Sequence, residues 1–307
     1  MDWNIKVIMA YDGKTNIWEL IPDIYKTVQT TGWFNEQHSM ELSQGVSKRL
    51  AIHFNETKVP RLRLSGMGSR CPRALWYSIH HPELAEALPP WATIKYSYGH
   101  ILEQLVITLA KAAGHEVTGE QDEVTVDGVT GHRDCVIDGC IVDVKSASSR
   151  SFQKFKDGSI KDNDTFGYLD QLDGYLVGSL DDELVRCKDR AYLLAVDKTL
   201  GHMCLYEHQL RIDSIKRRIK EYQEIVTRIH PPGCNCGTRP EGKSGNIALD
   251  TRASYSPYKF CCFPNLKTFL YASGPVYLTH VARLPDVPEI THGRQRTANQ
   301  PERQIYH

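Results

Sequence analysis

The sequence of 307 residues has no excess of charge of either sign. It contains 37 Lys and Arg residues and 37 Asp and Glu residues. Because the bulk charge is zero, binding to nucleic acid would have to come from local basic patches. No apolar run reaches the roughly 18 residues of a membrane span. The first residues, M-D-W-N-I-K-V-I, lack the basic lead and apolar stretch of a signal peptide. We therefore expect a cytoplasmic protein with no membrane partner.

A disulfide framework is not indicated either. The chain has nine cysteines, an odd number, and no export signal. This combination favours reduced thiols or metal ligands. There is no internal repeat, and the length fits one large domain or two small ones.

One short segment carries an explicit turn signal. Residues 131–146 read G-H-R-D-C-V-I-D-G-C-I-V-D-V-K-S. The Asp138-Gly139 pair, flanked by β-branched residues, predicts a two-residue β-hairpin turn. One face of this hairpin is apolar and is expected to join the core: Cys135, Ile137, Cys140, Val142 and Val144.

The other face of the hairpin carries charged side chains. The turn register places Asp134 opposite Asp143, roughly 5 Å apart. Strand alternation puts Lys145 on the same face as Asp143. Two opposed carboxylates are destabilising unless a cation lies between them. The set is typical of metal-dependent phosphodiester hydrolysis, although a solvated face with an incidental Asp-Asp-Lys trio is the simpler alternative.

Two predicted helices carry polar residues that fit the same chemistry. Glu103 lies on an amphipathic helix predicted over 97–113. Gln171 and Tyr175 lie four residues apart on a helix predicted over 166–178, so they share one face. Taken alone, Glu103 is most simply explained as a surface residue, and the Gln171–Tyr175 pair as a half-buried polar face.

Taken together, these residues resemble the PD-(D/E)XK nuclease superfamily, in particular its RecB-like branch. The ordered motifs are G-x-x-x-E at 99–103, Asp134, D-x-K at 143–145 and Q-x-x-x-Y at 171–175. The resemblance spans roughly residues 65 to 265. It implies a restriction-endonuclease-like αβββαβ core with a mixed sheet, and cleavage of DNA that depends on Mg²⁺ or Mn²⁺. It also implies roles for the matched residues: Glu103, Asp134 and Asp143 as metal ligands, Lys145 as catalytic, and Gln171 and Tyr175 as supports that contact DNA.

Many members of the RecB-like branch are phage-encoded, and others are CRISPR-associated. A phage origin would place the protein in the cytoplasm of a bacterial host. Phage recombination or replication proteins are then the expected partners besides DNA.

The cysteines match this family only in part. Several RecB-like nucleases hold an iron–sulfur cluster with one upstream and three downstream cysteines. Cys71 and Cys262 match two of these positions, but Ala253 and Ser256 occupy the other two. Three interpretations are open. The favoured one is a lost cluster, with the region packed as ordinary core. The second is a rearranged cluster or zinc site that uses Cys71, Cys234, Cys236 and either Cys261 or Cys262. The third is inert thiols.

Arginines and aromatics cluster upstream of the predicted catalytic helix. Arginine with aromatic side chains suits single-stranded DNA, through phosphate pairing and base stacking. The candidate DNA-binding residues are Arg70, Arg73, Trp76 and Tyr77. No motif that reads bases is present, so we expect little sequence specificity.

The predicted order of elements is helix, three strands, helix, strands and helix, which indicates an α/β fold. We predict a helical N-terminal extension over 1–60 and a nuclease domain over 61–283. The nuclease domain includes a cysteine-bearing segment at 231–264, and a disordered tail is predicted over 284–307. The leading functional hypothesis is a metal-dependent DNA exonuclease for recombination, end processing or host DNA degradation. The alternatives are an endonuclease or nickase with the same site, and a non-catalytic DNA-binding scaffold.

Overall fold

The computed structural model describes residues 16–55, 59–68 and 71–290. The chain forms two compact units. Unit 1 comprises residues 1–69 and 88–221, and unit 2 comprises residues 70–87 and 222–307. The helical extension predicted for residues 1–60 therefore shares unit 1 with the predicted catalytic strands.

Unit 1 is an α/β structure. Its helices are α1 (Leu20–Val28), α2 (Glu36–Asn55), α4 (Pro90–Ala112), α5 (Ser149–Lys156), α6 (Tyr168–Val177) and the first part of α7 (Ile212–Val226). Its strands are β1 (Val117–Thr118), β2 (Glu123–Val126), β3 (Val129–His132), β4 (Cys135–Ile137), β5 (Cys140–Ala147), β6 (Arg190–Asp197) and β7 (Met203–Gln209).

The central sheet of unit 1 is mixed. Its strand order is β1-β4-β5-β6-β7, and β2 and β3 form a separate hairpin. Only the β5–β6 pair is parallel among these neighbours, and α6 provides the crossover between those two strands. In chain order, α4, β1, β4, β5, α6 and β6 make the predicted αβββαβ core, so the predicted fold class is confirmed.

The Asp138-Gly139 turn sets the register of the hairpin as predicted. Both residues have positive φ, 50° and 77°, as a tight two-residue turn requires. Cys135 pairs with Val142, and Ile137 pairs with Cys140. The Asp138 carboxylate also hydrogen-bonds the His115 ring at 2.6 Å, which anchors the turn.

One face of the sheet forms the core of unit 1. All five apolar residues predicted for the inner face of the hairpin lie in this core. They pack against one side of α4, which contributes Val106, Ile107, Leu109 and Ala110. Because side chains alternate along a strand, Asp143 and Lys145 lie on the opposite face of β5.

The chain does not run as one strand from residue 117 to residue 126. This segment is divided into β1 and β2 because Gly119 and Gln121 both adopt positive φ, 57° and 59°. The predicted helical N-terminal extension is likewise broken between α1 and α2, where Gly32 has a φ of 78°. Backbone with positive φ cannot continue a strand or a right-handed helix.

Unit 2 contains a second sheet and short helices. Its strands are β8 (Thr238–Pro240), β9 (Ile247–Leu249), β10 (Lys267–Tyr271), β11 (Gly274–His280) and β12 (Glu289–Ile290), in the order β12-β10-β11-β9-β8. Its helices are α3 (Pro72–His80), α8 (Thr251–Ser254), α9 (Lys259–Cys262) and the last residues of α7. Of the tail predicted from residue 284, residues 284–290 lead into β12, and 291–307 lie outside the described residues.

Across the described residues, none of the helices combines the length and the apolar character needed to span a bilayer.

The packing of α4 on the sheet predicts that two isoleucines of that helix contribute very differently to the free energy of unfolding. Ile107 is fully buried, whereas Ile94 is 55% exposed. Ile107→Ala should lower the free energy of unfolding by about 2–5 kcal/mol, because it leaves a cavity in the core. The matched control Ile94→Ala should change it by less than about 0.5 kcal/mol. Urea unfolding followed by circular dichroism measures both, and equal effects would contradict this packing.

Candidate active site

The hairpin and α4 bring three carboxylates together. Asp134 lies one residue before β4, Asp143 lies on β5, and Glu103 lies on α4. The side-chain amide of Gln121 donates to Glu103 at 3.0 Å and to Asp134 at 3.3 Å, so one amide bridges two of the carboxylates. The backbone N–H of Val144 donates to the other oxygen of Asp134 at 2.9 Å. The helix and the hairpin therefore converge at one point, as the ordered motifs predict.

Lys145 links these carboxylates to α6. Its Nζ lies 2.5 Å from Asp143 Oδ2 and donates to Gln171 Oε1 at 3.3 Å. The Gln171 amide in turn donates to the Tyr175 hydroxyl at 2.8 Å. The Lys145 ammonium also lies 4.7 Å from the centre of the Tyr168 ring. All six predicted catalytic residues thus belong to one connected group.

Burial and mutual repulsion shift the pKa values of two of the carboxylates. Burial, followed by the charge of Asp134, raises the pKa of Glu103 to about 9, although Arg49 opposes this shift. Burial also raises the pKa of Asp143 to about 7, against the lowering effect of Lys145. For Lys145, burial disfavours the ammonium, but the charges of Asp143 and Asp134 outweigh it and raise the pKa.

The donor set fits a divalent cation with oxygen ligands. Asp143 is 1% exposed, and its Oδ1 has no hydrogen-bond partner in the part of the chain that the structure describes. A buried carboxylate oxygen without a partner is costly. A hard cation such as Mg²⁺ or Mn²⁺ takes carboxylate oxygens as ligands and would satisfy it. Glu103, Asp134 and Asp143 would hold such an ion.

Three residues of the site were not predicted from the sequence: Arg49, Gln121 and Tyr168. Arg49, on α2, forms an ion pair with Glu103 although 54 positions separate them in the chain. Gln121 lies in the turn between β1 and β2. Neither belongs to a local pattern. Tyr168 has a signal, since it shares a helix face with Gln171 and Tyr175 at i, i+3 and i+7.

A glycine explains how closely α6 approaches the hairpins. A Cβ on Gly131 would lie 2.8 Å from the Leu64 Cβ and 2.9 Å from a ring carbon of Tyr175. Any side chain at this position would therefore displace the tyrosine that holds Gln171. By contrast, a Cβ on Gly99, the first residue of the G-x-x-x-E motif, would meet nothing within 4 Å.

The candidate DNA-binding residues lie in unit 2. Arg70 is outside the described residues. Arg73 donates to the carbonyl of Pro232 at 2.9 Å. Trp76 is 5% exposed. Its indole N–H donates to the backbone carbonyl of Arg228, and its ring stacks on His80. Tyr77 is half-buried and stacks on Tyr258. These contacts place Trp76 within the packing of the unit, and a role of the set in DNA binding stays a prediction.

Two cysteines form a disulfide, and four others lie close together as free thiols. Cys140 and Cys187 are joined by a disulfide, which corrects the expectation that the chain holds only reduced thiols or metal ligands. The two positions lie 47 residues apart in the sequence, a separation that carries no pairing signal. In unit 2, the sulfur atoms of Cys71, Cys234, Cys236 and Cys262 all lie within 4.8 Å of one another.

No protein-family model matches the chain, and no curated protein matches it. Among solved structures, it is similar to the protein SSO0001, with a TM-score of 0.39 at 15% identity over 75% of this chain and 97% of that one. It is similar to a phage-related exonuclease from Haemophilus somnus 129PT, with a TM-score of 0.37 at 16% identity over 55% and 94%. It is also similar to an alkaline exonuclease from Laribacter hongkongensis, with a TM-score of 0.36 at 12% identity over 59% and 91%.

Because each of these TM-scores is below 0.5, the similarities carry no argument about function. The chain's own residues carry more weight, since they bring the four ordered motifs to one place on the expected topology. The described structure therefore has the αβββαβ core with a mixed sheet that the resemblance to the RecB-like PD-(D/E)XK nucleases implies.

Proposed function

We propose that this chain is a deoxyribonuclease that depends on Mg²⁺ or Mn²⁺ and hydrolyses phosphodiester bonds from DNA ends. The observation that carries the proposal is the group of three carboxylates beside Lys145, with one buried Asp143 oxygen left without a hydrogen-bond partner among the described residues. A purely structural hairpin gains nothing from this arrangement, because its carboxylates repel each other. A scaffold without catalysis therefore leaves the cost of the site unexplained.

The bound ion would supply Lewis acidity at the scissile phosphate. Glu103, Asp134 and Asp143 would hold the ion. Lys145 stays protonated at neutral pH because Asp143 and Asp134 raise its pKa. Its ammonium serves as a fixed positive charge for the phosphate oxygens. Gln171 holds that ammonium in place, and Tyr175 holds Gln171.

DNA as the substrate, and attack from an end, follow from the resemblance to RecB-like nucleases. A role in phage recombination, end processing or host DNA degradation rests on the same resemblance. The site itself is suited to a phosphodiester, because it combines an ion site with a fixed ammonium.

Replacement of Lys145 tests the catalytic assignment. Lys145→Ala should lower kcat on end-labelled linear DNA with Mn²⁺ by roughly 10²–10³-fold, the usual loss when one electrostatic stabiliser is removed. The control Lys156→Ala removes an exposed lysine of α5 and should keep the parent rate. If the Lys145 variant cuts as fast as the parent, the assignment is wrong.

The same proteins should be assayed on covalently closed circular DNA. An enzyme that needs an end leaves the circle intact. Nicking of the circle that is lost in Lys145→Ala would keep the site but replace the exonuclease with an endonuclease or nickase.

Replacement of Asp134 tests the ion site without relying on activity. Asp134→Asn keeps the size of the side chain and removes its charge, so calorimetric titration with Mn²⁺ should show at least a tenfold loss of affinity, within the roughly 10–100-fold range for disturbed metal sites. The exposed Asp181→Asn is the matched control and should bind Mn²⁺ like the parent. Unchanged binding by the Asp134 variant would favour the scaffold hypothesis.

The raised pKa values predict that stabilisation by Mn²⁺ depends on pH. Asp143 and Glu103 have pKa values of about 7 and about 9 in the folded chain, against roughly 4 in an unfolded chain. The folded state without metal therefore holds protons that the unfolded state has released, and it loses stability as pH rises through this window. Mn²⁺ binds the ionised carboxylates and offsets that loss.

The increase in Tm on adding Mn²⁺ should thus be larger at pH 8 than at pH 5.5. Scanning fluorimetry measures it, with Asp134→Asn as the control that should show little increase at either pH. Equal increases in Tm for the parent protein at both pH values would contradict the proposal that Mn²⁺ binds these buried carboxylates.

A further inference from the structure

Four cysteine sulfur atoms lie together in unit 2. Every pair among Cys71, Cys234, Cys236 and Cys262 is within 4.8 Å. The Cys71 sulfur is 3.6 Å from that of Cys234 and 3.8 Å from that of Cys262. All four are free cysteines. These distances are too long for disulfide bonds, which require roughly 2.05 Å.

The surroundings of the four sulfurs are those of a closed site. Cys71 and Cys262 are buried, and Cys234 and Cys236 are half-buried. Apolar and aromatic side chains pack around them, including Ala74, Tyr77, Ala85, Tyr258 and Phe263. The backbone N–H of Cys236 donates to the sulfur of Cys234 at 3.5 Å, a contact that favours a thiolate.

The spacing of the sulfurs distinguishes a single ion from an iron–sulfur cluster. Four thiolates at about 2.3 Å from one tetrahedral zinc ion stand about 3.8 Å apart. The distances of the Cys71 sulfur from those of Cys234 and Cys262 agree with that separation. In a [4Fe–4S] cluster each thiolate binds a different iron, and inorganic sulfides lie between the irons. The thiolates of a cluster must therefore stand further apart than four ligands of one ion.

The ligands come from three separate segments of the chain. Cys71 immediately precedes α3, Cys262 ends α9, and the loop at 233–237 provides the C-x-C pair. Two positions where the family places cysteines hold other residues in this chain. Ala253 is buried as an apolar side chain. The Ser256 hydroxyl accepts a hydrogen bond from the Tyr258 N–H. The loop thus provides the two sulfurs that these positions lack.

We propose that these four cysteines hold one Zn²⁺ ion in a closed, structural site, in place of the iron–sulfur cluster. Among divalent ions, Zn²⁺ binds more tightly than Fe²⁺ to a given set of donors, and a tetrahedral set of four thiolates suits it. The ion ties α3, the loop at 233–237 and α9 together. Binding of the ion therefore contributes directly to the folding of unit 2. The proposal is independent of the nuclease activity.

The decisive experiment uses the full chain, purified without oxygen. Mass spectrometry of metals should find one zinc per chain, the sample should be colourless, and acid-labile sulfide should be absent. X-ray absorption at the zinc edge should show four sulfur neighbours at about 2.3 Å.

Variants assign the ion to these residues. Cys236→Ser should weaken Zn²⁺ binding by more than about tenfold. Loss of a residue that only hydrogen-bonds a metal ligand already costs about tenfold or more in affinity, and Cys236 would be a ligand itself. Cys261→Ser is the matched control, because Cys261 packs in the same cluster of side chains but is not among the four grouped sulfurs. It should retain one zinc per chain.

The measurements on the parent chain overturn the proposal without any variant. Iron with an equal amount of labile sulfide would show a cluster instead. Disulfides among the four cysteines, or no metal after incubation with Zn²⁺ and a reductant, would show that the sulfurs do not form an ion site. Zinc that the Cys261 variant loses and the Cys236 variant keeps would show a different ligand set.

Discussion

The repulsion between buried carboxylates is the constraint on which the rest of unit 1 depends. Glu103 and Asp143 are buried and Asp134 is half-buried beside them, and charges away from water interact strongly. The fold brings a cation to each side of the group, Arg49 from α2 and Lys145 from β5. The long helix α4, the hairpin and α2 therefore each bring charged side chains to this group. Burial is the largest cause of the raised pKa values of Glu103 and Asp143, and the charge of Asp134 adds to it.

The parts of this site that could be predicted are those encoded locally or in ordered motifs. The Asp138-Gly139 turn determines its own register, so the faces of the hairpin followed from two adjacent residues. Glu103 was found because its motif precedes the hairpin in a known order. Arg49 and Gln121 were missed because their contacts depend on how distant segments pack, and a single sequence does not show that packing.

The cysteines show the limit of position-by-position comparison. In the family pattern, cysteines stand where this chain has Ala253 and Ser256, and their absence favoured the interpretation that the iron–sulfur cluster is lost. In the folded chain, the sulfurs of Cys234 and Cys236 lie beside that of Cys71, and 163 positions separate Cys71 from Cys234. Closing a long loop costs little more than closing a short one, so a ligand can be replaced from a remote segment. The pairing of Cys140 with Cys187 was missed for the same reason.

The pairing of Arg49 with Glu103 has a consequence for the order in which an ion and DNA reach the site. With all three carboxylates ionised, Arg49 and Lys145 leave the group with one negative charge. A divalent ion reverses this to one positive charge. At neutral pH Glu103, with its pKa of about 9, keeps its proton in the empty site. The empty site therefore offers a phosphate backbone little net charge, whereas a bound divalent ion would give the site a positive charge that attracts it. On the proposed function, this gain of positive charge would make the metal ion favour close approach of the polyanion, in addition to its part in the chemistry.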